Sequence, residues 1–323
     1  MVYSPHDDDL YVSRAFYLLL DGSLGPYDAR LLVKQLGISL WLAGSRFQGI
    51  TYLLSINLFF AIAGIYFIAA LSRLNINRVI FLLVFGLYLF NSVSIGHQWF
   101  RVMREPVAIS LLVVILASML FVLVYLEKKN LAILHFVTLA ATFTFALMVR
   151  EEDVLLYALL AMFVSLVLWK YWPVFREQSW FKRSGVLFLV ILPFIFASVG
   201  DGTTRSYVER HYGAPLLNDF REGEFPRLIA AIRSVESRKD NRHVMITQEA
   251  LGKIRVTVPL FAQVIDRLPK PSETSYSCAR FKVCSEWSNG WELFWIKDAA
   301  FQAGFTPTLL AGQSYFRNVR LEI

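Results

Sequence analysis

The stretch VAISLLVVILASMLFVLVYL, residues 107–126, contains no charged side chain. It matches the roughly 20 apolar residues that an α-helix needs to cross a bilayer. Similar apolar runs precede and follow it, so we predict an all-α, polytopic membrane helix bundle with six spans. The predicted spans are Ile50–Leu71, Val79–Gly96, Val107–Leu126, Leu131–Val149, Val154–Trp169 and Val186–Gly200.

The overall composition also favours a membrane protein. The chain has 323 residues, of which 56% are hydrophobic, and its mean hydropathy is +0.49. Soluble domains contain only about 45–50% apolar residues. The formal net charge is +7, but no basic stripe of the nucleic-acid-binding kind accompanies it. We therefore expect the lipid bilayer as a partner, and no nucleic acid.

The loops between the predicted spans alternate between rich and poor in Lys and Arg, and the richer set is expected in the cytoplasm. The richer set contains Arg73, Arg78, Lys128, Lys129, Lys170, Arg176, Lys182 and Arg183, and the poorer set contains Arg101, Arg104 and Arg150. This pattern places residues 1–49, the two poorer loops and the tail from Asp201 outside the cytoplasm. The acidic residues 7–9 then share a membrane face with residues 105 and 151–153.

Three regions follow from this topology. Residues 1–49 form an extracytoplasmic acidic loop with interfacial helices, residues 50–200 the six-span bundle, and residues 201–323 an extracytoplasmic, mostly helical tail. In the first region we predict a helix over Leu10–Leu20, capped by Ser4 or Asp7, and a helix in the membrane interface over residues 29–47. The predicted tail helices are Pro226–Lys239, Thr247–Val256, Asn289–Ala303 and Pro307–Glu322.

The acidic stretch HDDD, His6 to Asp9, is the first candidate site. Acids in the first turn of a helix stabilise it by about 0.3–1 kcal/mol each through the helix dipole. Helix capping accounts for one or two of the three aspartates. It needs neither the third aspartate nor the adjacent His6. A carboxylate here could instead serve as a general base or as a ligand of a divalent metal.

Two further loops carry charges on the same predicted face. In RVMRE, Arg101 and Arg104 are spaced to share a helical face and could bind a phosphate group; the alternative is an ordinary anchor for a helix end. In MVREED, Arg150 and Glu151 lie between two spans. They form either a structural ion pair or a second part of the site opposite the aspartates.

The chain contains two cysteines, Cys278 and Cys284, in the tail predicted to lie outside. An oxidising compartment favours a disulfide between them, and two free thiols are the alternative.

Several of these stretches together resemble the GT-C superfamily of membrane glycosyltransferases, of the polyprenol-dependent kind that includes protein mannosyltransferases and aminoarabinose transferases. The stretches are SPHDDDLYVSRAFYLL, LLVKQLGISLWLAG, REPVAISLLVV and FALMVREEDVLLY, within residues 1–200. Family members open with one additional span, so the resemblance implies a fragment that lacks it. The soluble tail replaces the later spans of the family.

The resemblance implies hexosyl or pentosyl transfer from a polyprenyl-phosphate sugar to a glycan, lipid or protein acceptor, in the cell envelope at the bacterial inner membrane. Asp7 or Asp8 would activate the acceptor as the catalytic carboxylate. The substrate-binding candidates are His6, Lys34, Arg101, Arg104, Arg150 and Glu151.

Two other classes of function stay open. A transporter or lipid flippase would explain six spans, but it should place ionisable side chains inside them, where only His135 is found. A non-catalytic membrane assembly protein would use all its acids in caps and ion pairs.

Overall fold

The structure is a computed structural model. It describes residues 7–74, 76–126, 128–151, 153–177, 180–237, 244–271, 284–287 and 290–323, with the backbone alone at 97–98, 129, 173–177 and 180–186.

The described residues form thirteen α-helices and one short 3₁₀ helix, with no β-strand, which confirms the all-α prediction. The α-helices, numbered in chain order, are α1 Asp7–Leu20, α2 Gly37–Phe47, α3 Tyr52–Leu71, α4 Arg78–Leu89, α5 Glu105–Tyr125, α6 Lys129–Val149, α7 Asp153–Glu177, α8 Trp180–Tyr212, α9 Glu224–Ser234, α10 Gln248–Thr257, α11 Pro259–Arg267, α12 Trp291–Gln302 and α13 Leu309–Glu322. The 3₁₀ helix is His97–Phe100.

The chain is a multi-pass helical membrane protein. Among the described residues, five helices are long and apolar enough to cross a membrane. They are α3, α5, α6, α7 and the part of α8 from Leu187. The predicted sixth span, Val186–Gly200, is shorter than the roughly 20 residues that cross a bilayer, but α8 extends past it on both sides and supplies the missing length.

The predicted span Val79–Gly96 has different bounds in the structure, because α4 ends at Leu89. Asn91 ends this helix. Its side-chain amide donates to the carbonyl of Tyr88 at 2.7 Å, and its side-chain oxygen accepts from the backbone N–H groups of Val93 and Ser94. These bonds replace the next helical turn, as side chains of this type commonly do.

The chain divides into two compact units. The first comprises the residues up to Leu24 and Gln35–Thr203, and the second comprises Gly25–Lys34 and Thr204–Ile323. In the first unit α3, α5 and α6 form the centre of the bundle. Its buried core runs along α5 and α6, with Val107, Ile115, Phe136 and Phe143 at or below 1% exposure.

The predicted interfacial helix over residues 29–47 is shorter in the structure, since only α2 is helical. The preceding segment, Gly25–Lys34, packs within the second unit. There the backbone N–H of Asp219 donates to the carbonyl of Leu32, and the side chain of Asn218 donates to that of Val33. These bonds satisfy the carbonyls that a helix would have used.

The second unit has its own apolar core, built from α9 to α13. Sequence reasoning missed α11, although Pro259 at its start and the spacing of Phe261 and Val264 are helix signals. Helix α9 ends at Ser234, before the predicted Lys239, because no apolar side chain after Val235 continues its buried face.

Candidate functional site

Three segments that are distant in sequence meet at one end of the first unit. They are the start of α1, the turn before α5, and the α6–α7 junction. We name the resulting group the charged cluster. It consists of Asp8, Arg101, Arg104, Glu105, Arg150 and Glu151, joined by ion pairs.

The closest contact in the charged cluster joins Asp8 to Arg101. Arg101 donates from Nη2 to Oδ1 at 2.6 Å and from Nε to Oδ2 at 3.3 Å. The Asp8 side chain is only 1% exposed. The hydrogen bond to Asp8 raises the pKa of Arg101 above its ordinary value, against the opposing effect of burial. Asp8 thus holds α1 to the turn before α5.

The other four members form a chain of alternating charge. Arg104 lies 3.3 Å from Glu151 and 3.6 Å from Glu105, and Glu105 lies 3.6 Å from Arg150. These separations exceed the roughly 2.7–2.9 Å of a strong charge-assisted hydrogen bond. The second carboxylate oxygen of Glu105 is buried and has no hydrogen-bond partner in the structure. The four charges therefore form an ion-pair chain whose contacts are longer than the Asp8–Arg101 contact.

Two tyrosines that the sequence reasoning missed lie against this cluster. Tyr11 is 2% exposed. Burial raises its pKa, and so does the neighbouring charge of Asp7, while the charges of Arg104 and Arg14 act in the opposite direction. Tyr52 donates its hydroxyl to the carbonyl of Met103 at 2.9 Å. The signal for Tyr11 was its spacing from Asp7 and Asp8, which places all three on one helical face.

An apolar groove of about 310 Å³ opens directly from the charged cluster. Glu105 and Arg150 line its polar end, and Val93 together with side chains of α5, α6 and α7, among them Ile109 and Leu159, lines the rest. Two larger grooves, about 510 and 530 Å³, flank α2.

The remaining predicted site residues are not members of the charged cluster, although Asp7 directly precedes Asp8 on α1. Asp7 is half-buried in the first turn of α1 and Asp9 is exposed. Lys34 belongs to the second unit, and His6 lies outside the described residues. Among the residues that the structure describes, no group of three or more His, Cys, Asp or Glu side chains could hold a metal ion.

For the predicted disulfide, the structure describes one cysteine. Cys284 is disulfide-bonded, whereas Cys278 lies outside the described residues, so the pairing of the two stays a prediction.

Comparison with known proteins does not extend this description. No family model matches the chain, and no match is found among curated proteins or solved structures. The class, a multi-pass helical membrane protein, therefore rests on the long apolar helices of this chain alone.

Proposed function

We propose that this protein is a membrane glycosyltransferase that moves a sugar from a polyprenyl-phosphate donor to an acceptor. One observation carries the proposal: the charged cluster and the apolar groove share Glu105 and Arg150. A ligand with an anionic head and a long hydrocarbon tail fits such a junction, because each part meets the environment it prefers.

The arginines divide into two roles under this proposal. Arg101 is committed to Asp8 by two hydrogen bonds, so it positions the site. Arg104 makes longer contacts to Glu105 and Glu151, and Arg150 makes one to Glu105; under this proposal both guanidinium groups also bind phosphate oxygens. Two arginines stabilise the negative charge that develops on a departing phosphate.

The transfer step balances with groups from this chain. An acceptor hydroxyl attacks the anomeric carbon, the bond from that carbon to the phosphate oxygen breaks, and polyprenyl phosphate leaves with the electron pair. Asp7 takes the hydroxyl proton. It suits this role better than Asp8, because both oxygens of Asp8 face Arg101 in a buried contact while Asp7 is half-buried.

We propose further that the charged end of the bundle faces outward, since the loops at the other end carry more Lys and Arg. Cysteine labelling tests this orientation with two exposed positions, Asp9 and Ser72. Asp9→Cys should react with an impermeant maleimide on intact cells. Ser72→Cys should react only after permeabilisation, and the reverse pattern would invert the topology.

Donor binding is the direct test of the function. With purified full-length protein, polyprenyl phosphate should raise the thermal unfolding midpoint, and the uncharged polyprenol should raise it much less. For Arg104→Gln, the concentration of polyprenyl phosphate that gives the same rise in midpoint should be about tenfold higher or more. This factor corresponds to the loss of one charged contact.

The matched control is Arg227→Gln in the second unit, which removes an exposed arginine paired with Glu224 and should leave ligand binding unchanged. Equal responses to the phosphate and the alcohol would reject the proposal. So would an absence of released polyprenyl phosphate from a panel of polyprenyl-phosphate hexoses and pentoses.

A further inference from the structure

The segment Trp99–Met103, which carries Arg101, is held rigidly on both sides of that residue. The backbone N–H of Met103 donates to the carbonyl of Arg101 at 2.9 Å, which makes a tight turn. Trp99 and Val102 are 5% and 2% exposed and belong to the bundle core. The turn can therefore move only if core packing changes.

Helix α3 supplies two hydrogen bonds that fix this turn. The indole Nε1 of Trp99 donates to the side-chain oxygen of Asn57 at 3.2 Å. The hydroxyl of Tyr52 donates to the carbonyl of Met103 at 2.9 Å. The two contacts bracket Arg101, one before it and one after it, and both come from a single membrane helix.

We propose that Tyr52 is a positioning residue. Its hydroxyl holds the Met103 carbonyl. Arg101 is thereby placed to bind Asp8, and Arg104, the residue after Met103, is placed to contact Glu105 and Glu151. The part of this inference that concerns Arg104 rests on the proposed function, and the part that concerns the Asp8–Arg101 pair does not. The alternative is that Tyr52 only satisfies its own hydroxyl, in which case its removal has no link to Asp8.

A double-mutant cycle in thermal unfolding separates these alternatives. The variants are Tyr52→Phe, Asp8→Asn and their combination, in full-length protein. If Tyr52 holds Arg101 in place for Asp8, the combined loss in midpoint falls short of the sum of the single losses by about 2 °C or more. Additive losses would overturn the proposal.

The matched control is Tyr315→Phe. The Tyr315 hydroxyl also donates to a backbone carbonyl, that of Leu260 at 3.0 Å, but within the second unit. The fall in thermal midpoint caused by Tyr315→Phe should add to the fall caused by Asp8→Asn. Should Tyr52→Phe yield no folded protein, Trp99→Phe replaces it in the same cycle, because it removes the other anchor of the turn, and additivity there overturns the proposal equally.

Ligand binding provides the readout that a purely structural tyrosine would not change. Tyr52→Phe should weaken polyprenyl phosphate binding about tenfold, and in turnover it should raise the donor KM with little change in kcat. If Tyr52→Phe leaves polyprenyl phosphate binding unchanged but its effect on stability is coupled to that of Asp8→Asn, then Tyr52 positions Arg101 and not Arg104. If wild-type protein binds no polyprenyl phosphate, the proposed function fails, while the cycle still decides the positioning role.

Discussion

The guanidinium of Arg101 donates to both carboxylate oxygens of Asp8, and this pair joins the start of α1 to the turn that precedes α5. The side chain of Asp8 is 1% exposed and that of Arg101 is 19% exposed. A buried pair of this kind contributes little net stability when intact, but removal of one partner leaves a buried charge uncompensated.

We predict that Asp8→Asn lowers the free energy of unfolding by about 3 kcal/mol, the low end of the cost of breaking a buried pair. The neutral side chain removes the carboxylate that the Arg101 guanidinium binds directly. Asp9→Asn is the control, because Asp9 neighbours Asp8 on α1 but is exposed, and it should change stability by no more than about 1 kcal/mol, the contribution of a first-turn acid through the helix dipole. Thermal unfolding of both variants in the same detergent measures the difference. Equal losses of stability in the two variants would show that the Asp8–Arg101 pair does not stabilise the fold more than an exposed aspartate does.

A second prediction concerns the close approach of α2 to α6. A Cβ on Gly37 would lie 2.5 Å from the carbonyl oxygen of Met148 and 2.6 Å from a methyl of Val149. Gly37→Ala should therefore destabilise the protein by about 1–3 kcal/mol through overpacking. Gly44→Ala on the same helix meets nothing within 4 Å and should instead stabilise by about 0.5–1 kcal/mol. Thermal midpoints that move in the same direction would contradict this packing.

A third prediction concerns the pH dependence of the second unit. Glu292 is fully buried, and neither of its carboxylate oxygens has a hydrogen-bond partner from another residue. Burial raises its pKa, and its own backbone N–H offsets only part of this effect. A raised pKa in the folded state means that the folded protein binds the proton more tightly. The wild-type protein therefore loses stability as the pH rises through the folded pKa.

Glu292→Gln should remove this loss. The free energy of unfolding of the variant should match that of wild type near pH 4 and exceed it near pH 7, by about 1.4 kcal/mol for each tenfold change in proton affinity.

Glu224→Gln should change the pH dependence of stability in the opposite direction. Burial alone would raise the pKa of Glu224, but hydrogen bonds from Arg320 and Arg227 lower it. Its contribution is therefore present above the unfolded pKa and lost as the pH falls through the folded value. Parallel pH profiles for the two variants would refute both assignments.

Much of the fold could be read from the sequence, because membrane helices are determined by local composition. The uncharged run over residues 107–126 coincides closely with α5, and the predicted tail helices Thr247–Val256 and Pro307–Glu322 coincide closely with α10 and α13. The Lys/Arg alternation also grouped three charged segments on one face, and the structure brings Asp8, Arg101 and Arg150 to one end of the first unit.

The rest depends on tertiary contacts that no local pattern encodes. Sequence reasoning gave Asp8 and Arg101 different roles, whereas the structure pairs them across a separation of 93 residues. Residues 29–34 have the apolar spacing of a helix, yet Asn218 and Asp219 bind their backbone in another conformation. Tyr52 lies near the start of the predicted span Ile50–Leu71 and carries no signal in the sequence, and only the position of the Met103 carbonyl reveals its contact.

The last prediction concerns the two cysteines. Cys284 is disulfide-bonded in the structure, and we predict that its partner is Cys278 of the same chain. The short loop between them removes little conformational entropy from the unfolded chain, so the bond should stabilise the protein by about 3 kcal/mol or less.

Alkylation without reduction, followed by mass spectrometry, should therefore find neither cysteine modified, and a non-reducing gel should show a monomer. After reduction both cysteines should react, and the thermal midpoint should fall by the amount seen in the double variant Cys278→Ser and Cys284→Ser. The double variant is the control, because reduction should not lower its midpoint further. A covalent dimer would assign the bond to two chains. Two alkylated cysteines in unreduced protein would show that no disulfide forms, and would remove one reason for placing the tail in an oxidising compartment.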